Sequence, residues 1–271
     1  MQIRKGYVDT AEGQVHYRST QGAGPPVVFL HQTASSSAMW KGMMTIMEGR
    51  RCIAPDTPGF GGSYDPEDVP DIGYYAQVMT EALDALGVRE FHLCGHHTGS
   101  CIAVEMAAAM PGRVLSLTMF GPPQLTQDER DQFRPHFSTP FAPDADGAYL
   151  KATWDYLAGL GANKALDLHH REVVDTLRAW HGRVQAYAAV WEQDFPAFLE
   201  QVTCPMLLLC ARDDVLWPYF QRAAEARPDA LLEVVQGANF EPDLDASSSA
   251  RAYEAFLGQN GARQREAVSQ R

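Results

Sequence analysis

Apolar positions along the chain fall into two alternating kinds of run. Short, mostly apolar stretches predict parallel strands: VVFL from Val27, RCIAP from Arg51, FHLCG from Phe91, LSLTMF from Leu115, MLLLC from Met206 and LLEVV from Leu231. Between them, YYAQVMTEALDALG from Tyr74 and GSCIAVEMAAAMPG from Gly99 carry apolar residues at helical spacing and close with glycine, which predicts amphipathic helices. Strand and helix in alternation predict an α/β fold with a mostly parallel central sheet and helices on both of its faces. Near the N-terminus, GQVHYRS from Gly13 alternates apolar and polar side chains. It is expected to form an antiparallel edge strand joined to RKGYVDT from Arg4.

The rhythm stops after residue 121. From Pro122 to Thr203, DERDQF, GAYLKATWDYLAGLG, HHREVVDTLRAWHG and RVQAYAAVWEQDF read as helices broken by glycine and proline. Residues 1–121 and 204–271 are therefore expected to form the core, with residues 122–203 an inserted helical cap over the carboxyl ends of the strands, where ligands tend to bind. The tail after Gly258 is polar and is expected to be disordered.

Charge narrows the partners. A formal net charge of −12 opposes close approach to nucleic-acid phosphates or anionic lipid, so neither nucleic acid nor membrane is an expected partner. The basic start of the chain is followed by no long apolar stretch, and no apolar run reaches the roughly 18 residues a membrane span needs, so a cytoplasmic location is expected. The five cysteines lie mostly within apolar segments and are expected to be reduced and structural. A small molecule is the expected partner; self-association as a homodimer is left open.

The segment LCGHHTGS, from Leu93 to Ser100, carries the candidate chemistry. Gly95 and Gly99 flank the middle of a predicted strand–turn–helix, as they would in a nucleophile elbow, but the central residue is His97 rather than serine. Four more segments occur in order: LHQTASSSAMW from Leu30, APDTPGFGGSYDP from Ala54, CPMLLLCARDD from Cys204 and VVQGANFEPD from Val234. Together with the elbow, these resemble the α/β-hydrolase family over nearly the whole chain. The resemblance implies that the loop from Leu30 supplies half of an oxyanion hole, that Asp213 stands at the triad acid, and that Asn239 stands where the family has its triad histidine. That family orders its triad serine, acid, histidine, whereas these places hold His97, Asp213 and Asn239, and no histidine follows His181. Gln32 also replaces a glycine that the family usually has beside His31. A Ser-His-Asp mechanism is not expected to carry over.

An imidazole titrates at about 6.5 and can accept a proton without help from a second base. Two roles for His97 stay open: a nucleophile that forms an acyl-imidazole, or a general base that activates water or removes a substrate proton. The base role is favoured, because a bulky ring at the elbow leaves little room for an adduct. The backbone N–H groups of Thr33 and Thr98 are the expected oxyanion donors. Asn239 is expected to accept a hydrogen bond from the imidazole and to donate its amide to Asp213, fixing the tautomer. His31, Gln32, Trp40, His181, Trp191 and Phe240 are pocket candidates, with Trp154, Tyr156, Trp180, Tyr187 and Phe195 as further aromatic ones. His31 is also expected to order its loop, and His169 or His181 to enter the pocket as an acid partner. The adjacent pairs His96–His97 and His169–His170 predict no metal site, since neighbouring side chains diverge on a strand or a helix. The expected activity is cofactor-free hydrolysis of an ester, lactone or related carbonyl bond of a small apolar molecule. A lyase or isomerase acting beside a carbonyl, and a receptor without turnover, remain as alternatives.

Overall fold

The N-terminal hairpin forms where the alternating segment predicts it. In the computed structural model, which describes residues 2–137 and 139–269 (side chains to residue 260), β1 (Arg4–Asp9) pairs antiparallel with β2 (Gln14–Ser19). The chain continues through β3 (Ala23–Leu30), α1 (Lys41–Ile46), β4 (Arg50–Pro55), α2 (Ile72–Ala85), β5 (Phe91–His96), α3 (Thr98–Ala109) and β6 (Val114–Phe120). Five helices follow before the next strand: α4 (Gln127–Phe137), α5 (Ala148–Gly159), α6 (Leu166–Arg178), α7 (Trp180–Glu192) and α8 (Phe195–Gln201). The remainder is β7 (Met206–Ala211), α9 (Trp217–Ala226), β8 (Leu231–Val235), α10 (Glu241–Leu244) and α11 (Ala246–Ser269). The eight strands lie in the order β1-β2-β4-β3-β5-β6-β7-β8, with all pairings from β4 through β3 to β8 parallel.

Why the central strands read as unbroken apolar runs is visible in their two faces. In β3, Val28 and Leu30 enter the cluster that holds Tyr75 and Met79 of α2 and Ile102 of α3, while Val27 and Phe29 enter the cluster that holds Met43 of α1 and Tyr253 of α11. Strand β7 divides the same way, Leu208 and Cys210 to one side and Leu207 and Leu209 to the other. Successive side chains point to opposite faces, so a sheet covered on both must be apolar at every position. Trp40, a pocket candidate by sequence, belongs to the second cluster. It is wholly buried against Phe29, with ring centroids 4.8 Å apart, and does not line the cavity beside His97.

Four cysteines are buried and Cys204 is half-buried; all five are free. Among the described residues no helix is long and apolar enough to cross a membrane. The tail expected to be disordered instead continues α11 to Ser269; its alanine, glutamine, arginine and glutamate are good helix formers, and that propensity outweighs the lack of apolar content.

The helices between β6 and β7 are joined to the core partly through apolar packing of Ala186, Val190 and Leu199 and partly through a polar seam. There Ser35 Oγ donates to Glu172 (2.8 Å), Ser36 Oγ donates to Asp175 (2.8 Å), and Arg171 pairs with Asp243 (2.6 Å). Burial, and then the neighbouring Glu172 charge, push the Asp175 carboxyl up to about 7 despite the Ser36 hydroxyl and Arg171. A carboxyl whose folded pKa lies above its unfolded value stabilises while protonated, and that contribution is lost as pH rises from about 4 through about 7. Asp175→Asn, which imitates the neutral acid, is therefore expected to leave Tm at pH 4 nearly unchanged. At pH 8 it should raise Tm by about 4 °C or more, since each kcal/mol shifts a chain of this size by about 2–4 °C. Calorimetry at the two pH values checks this, and an equal shift at both would show that Asp175 is not the titrating group.

Candidate active site

At the end of β5 the backbone turns on a single residue before α3. His97 takes φ 49° and ψ −108°, a conformation that non-glycine residues rarely hold. The turn is tight: a Cβ on Gly99 would fall 2.2 Å from the Leu30 carbonyl oxygen, so only glycine fits there. Because the backbone leaves the strand at His97, its side chain does not alternate with that of His96. The two rings stack instead, with centroids 4.2 Å apart and planes 10° from parallel. The expectation that these adjacent histidines diverge is thus wrong, and the positive φ is the reason.

The His97 ring is 12% exposed, and its Nε2 lies 2.8 Å from Oδ2 of Asp214, whose carboxylate is wholly buried. The other oxygen, Oδ1, accepts the Leu216 N–H at 2.6 Å, which fixes the carboxylate's orientation. A carboxylate only accepts, so the pairing places the imidazole proton on Nε2 and leaves the lone pair on Nδ1. No described residue hydrogen bonds to Nδ1. The ring also lies against Gly121, where a Cβ would come within 2.5 Å of His97 Cδ2.

The acid that meets His97 is therefore Asp214, not Asp213. The Asp213 side chain is 57% exposed, pairs with Lys164 Nζ at 2.7 Å and accepts the Ala238 N–H at 3.1 Å. The Lys164 ammonium holds its carboxyl below the usual range. The turn after β7 sends the two neighbouring aspartates in different directions. Asn239 does not relay between imidazole and acid either: its backbone carbonyl accepts from Gln32 Nε2 at 3.1 Å, and its amide bonds to neither His97 nor Asp213. His97 reaches its carboxylate directly, which makes the relay unnecessary.

Behind this pair lies a second one. His96 Nε2 is 2.8 Å from Oε2 of Glu241, both side chains wholly buried, and Glu241 Oε1 accepts the Ala211 N–H at 3.0 Å. Burial, and then the nearby Asp214 charge, push the Glu241 carboxyl well up, while burial holds the His96 imidazole well down. The inner pair is thus a neutral acid and a neutral imidazole. His96, His97, Asp214 and Glu241 bring one donor atom each within 4.8 Å of one another, and among the described residues this is where an ion could be held. In this quartet the Nε2 atom of each imidazole already pairs with a carboxyl oxygen, and the buried His96 Nδ1 is left without a partner among the described residues.

The His97 ring forms part of the wall of a cavity of about 220 Å³ between the strand ends and the helices that follow β6. Gln32, Thr33, Thr98, Asn239 and Phe240 line it from the core; Phe137, Tyr156, Arg183, Tyr187 and Trp191 line it from the helices. Neither the Thr33 nor the Thr98 backbone N–H donates to a described acceptor. His31 stays outside: its Nδ1 donates to the Gln32 carbonyl at 2.8 Å, its Nε2 accepts the Thr57 N–H at 2.9 Å, and it orders the loop. His181 is exposed beside Trp180, and His169 is buried with Nε2 on the Trp154 carbonyl at 2.9 Å, so neither reaches the cavity. Trp154, Trp180 and Phe195 also lie off it. Sequence reasoning missed Asp214, Glu241, Glu172 and Arg183. The adjacent aspartates and the charged positions on otherwise apolar helix faces were the available signals.

With the geometry in hand, the chain matches the α/β hydrolase fold family across residues 25–242 and belongs to it. A haloalkane dehalogenase from Mesorhizobium japonicum is 32% identical over 119 residues, which span 42% of this chain and only 37% of that relative. A non-heme chloroperoxidase from Streptomyces lividans is 28% identical over 268 residues, 86% of this chain and 91% of that protein. Among solved structures, E-2-(acetamidomethylene)succinate hydrolase has the same fold, with a TM-score of 0.77 at 23% identity over 95% of this chain and 100% of that one.

Proposed function

We propose that the protein is a cofactor-free hydrolase of an ester, lactone or related carbonyl bond in a small molecule, with His97 as general base. The observation that carries this reading is an imidazole in a cavity wall, held through Nε2 by a buried carboxylate, with no hydrogen-bond partner for its Nδ1 among the described residues. A water attacks the substrate carbonyl while its proton passes to Nδ1. The oxyanion of the tetrahedral intermediate accepts from the Thr33 and Thr98 N–H groups, and Asp214 stabilises the imidazolium. Collapse expels the alkoxide, which takes the proton back from Nδ1. Packing of the ring between His96 and Gly121 favours the base role over a covalent one, since a nucleophile needs room to carry its acyl group. The helices from Pro122 to Thr203 act as the cap that excludes bulk water.

The purified protein is expected to hydrolyse members of a panel of activated esters and lactones in the presence of EDTA, and to stay unlabelled by a serine-directed fluorophosphonate. Tight binding without product would overturn the reading in favour of a receptor. Exchange of substrate hydrogen with deuterated solvent, without hydrolysis, would point to a lyase or isomerase. Labelling at Thr98 or Ser100 would transfer the chemistry to a hydroxyl; Ser100 is buried and donates to the Gly95 and Phe120 carbonyls at 3.0 and 3.2 Å, so none is expected there.

A further inference from the structure

The cavity holds a second chemical feature besides His97. Helix α7 presents Arg183, Tyr187 and Trp191 to it at a spacing of four residues, one face of the helix. Arg183 is only 3% exposed, and its guanidinium sits among four aromatic rings: Phe141, Tyr156, Tyr187 and Phe137, with centroids at 4.8, 5.1, 5.1 and 5.9 Å from its Cζ. Its hydrogen bond in the protein is a long one, from Nη1 to the Thr139 carbonyl at 3.3 Å.

Among the described residues no carboxylate lies within ion-pair distance of Arg183, in a chain with 34 acidic residues. Elsewhere Arg171 meets Glu172 and Asp243, and Arg222 meets Glu129, while the buried Arg130 donates to the Gln127 side-chain oxygen at 2.6 Å. A guanidinium is always charged and offers five N–H donors in a planar fork, so burying one without an anion is unfavourable. The aromatic faces offset only part of that. Glu172 also lines the cavity, but its carboxylate is engaged by Ser35 and Arg171, so the Arg183 cation is arranged to receive its anion from the ligand.

We propose that the molecule bound in this cavity carries a carboxylate, received by Arg183, at the end remote from the bond that faces His97. The planar fork matches a carboxylate in two parallel hydrogen bonds. Phe137, Tyr187 and Trp191 then pack the apolar body between the two ends. The substrate is thus a carboxylic acid that also bears an ester or lactone, such as the half-ester of a dicarboxylic acid. This assignment rests on the cavity being the substrate site of the proposed hydrolase, but it can be tested without turnover.

Binding of 4-phenylbutanoate and of its neutral primary amide is measured by calorimetry at neutral pH, for the native chain and for Arg183→Gln and Arg183→Lys. The native chain is expected to bind the carboxylate at least about 10-fold more tightly than the amide. Arg183→Gln is expected to bring the two within about twofold, and Arg183→Lys to keep part of the preference. In turnover, KM for the monomethyl ester of adipic acid is expected to rise at least about 10-fold in Arg183→Gln, with KM for the dimethyl ester unchanged. A merely structural role would weaken both ligands and both esters alike. Equal binding of acid and amide by the native chain overturns the proposal, whether or not the variants fold. Carboxylate preference without hydrolysis of any ester would leave Arg183 as assigned and defeat the hydrolase reading. Hydrolysis indifferent to the carboxylate would do the reverse.

Discussion

His97→Ala is expected to reduce ester turnover by about 10³-fold or more, the range in which loss of a positioned general base falls. Asp214→Asn should lose about 10³–10⁴-fold, because an amide in place of the buried carboxylate can donate to Nε2, forces the proton to Nδ1 and so removes the lone pair assigned as the base. Asp213→Asn, one residue away on the exposed side of the turn, is expected to change turnover by less than about twofold, as surface ion pairs contribute little. Since His97 and Asp214 act as one unit, the double variant should be no slower than the slower single one. Steady-state kinetics of the four proteins decides this. Comparable losses for the two aspartate variants, or strict multiplication in the double, would break the assignment.

Glu241→Ala should give the largest loss of stability. It leaves the Ala211 N–H and His96 Nε2 without their partner in a wholly buried place and opens a void beside them. Each orphaned buried group costs about 1–3 kcal/mol, so a loss of about 3–5 kcal/mol is expected, the range for broken buried polar networks. At about 2–4 °C per kcal/mol, Tm should fall by roughly 6–20 °C. A fall of less than about 3 °C in a thermal melt would mean that the inner pair does not hold the end of the sheet together.

The two predictions separate what each half of the quartet does. Asp214 pairs with His97 at the cavity wall, whereas the Glu241 side chain pairs with His96 and accepts the Ala211 N–H. Turnover should therefore respond to Asp214 with little change in Tm, and stability should respond to Glu241.

Much of the fold could be read from local pattern. Val27 through Leu30, and Met206 through Cys210, are apolar at consecutive positions because both faces of those strands are covered. The glycines of LCGHHTGS mark a turn in which a Cβ cannot be accommodated, so His97 could be placed between strand and helix from sequence alone. These are constraints between residues near in the chain, and periodicity records them.

What the sequence by itself determined is the alternation of buried strands and helices, the interruption between β6 and β7, and the presence of an imidazole where a serine is usual. Only the tertiary structure decided which carboxylate the imidazole meets. Asp213 and Asp214 are chemically alike, and the choice rests on the path of the turn after β7 relative to a ring 117 residues earlier. The same holds for Glu241 against His96, 145 residues apart, and for the aromatic surround of Arg183, drawn from three helices and a loop. Side-chain direction at a turn and pairing across the chain depend on packing between distant segments, and no local pattern carries that information.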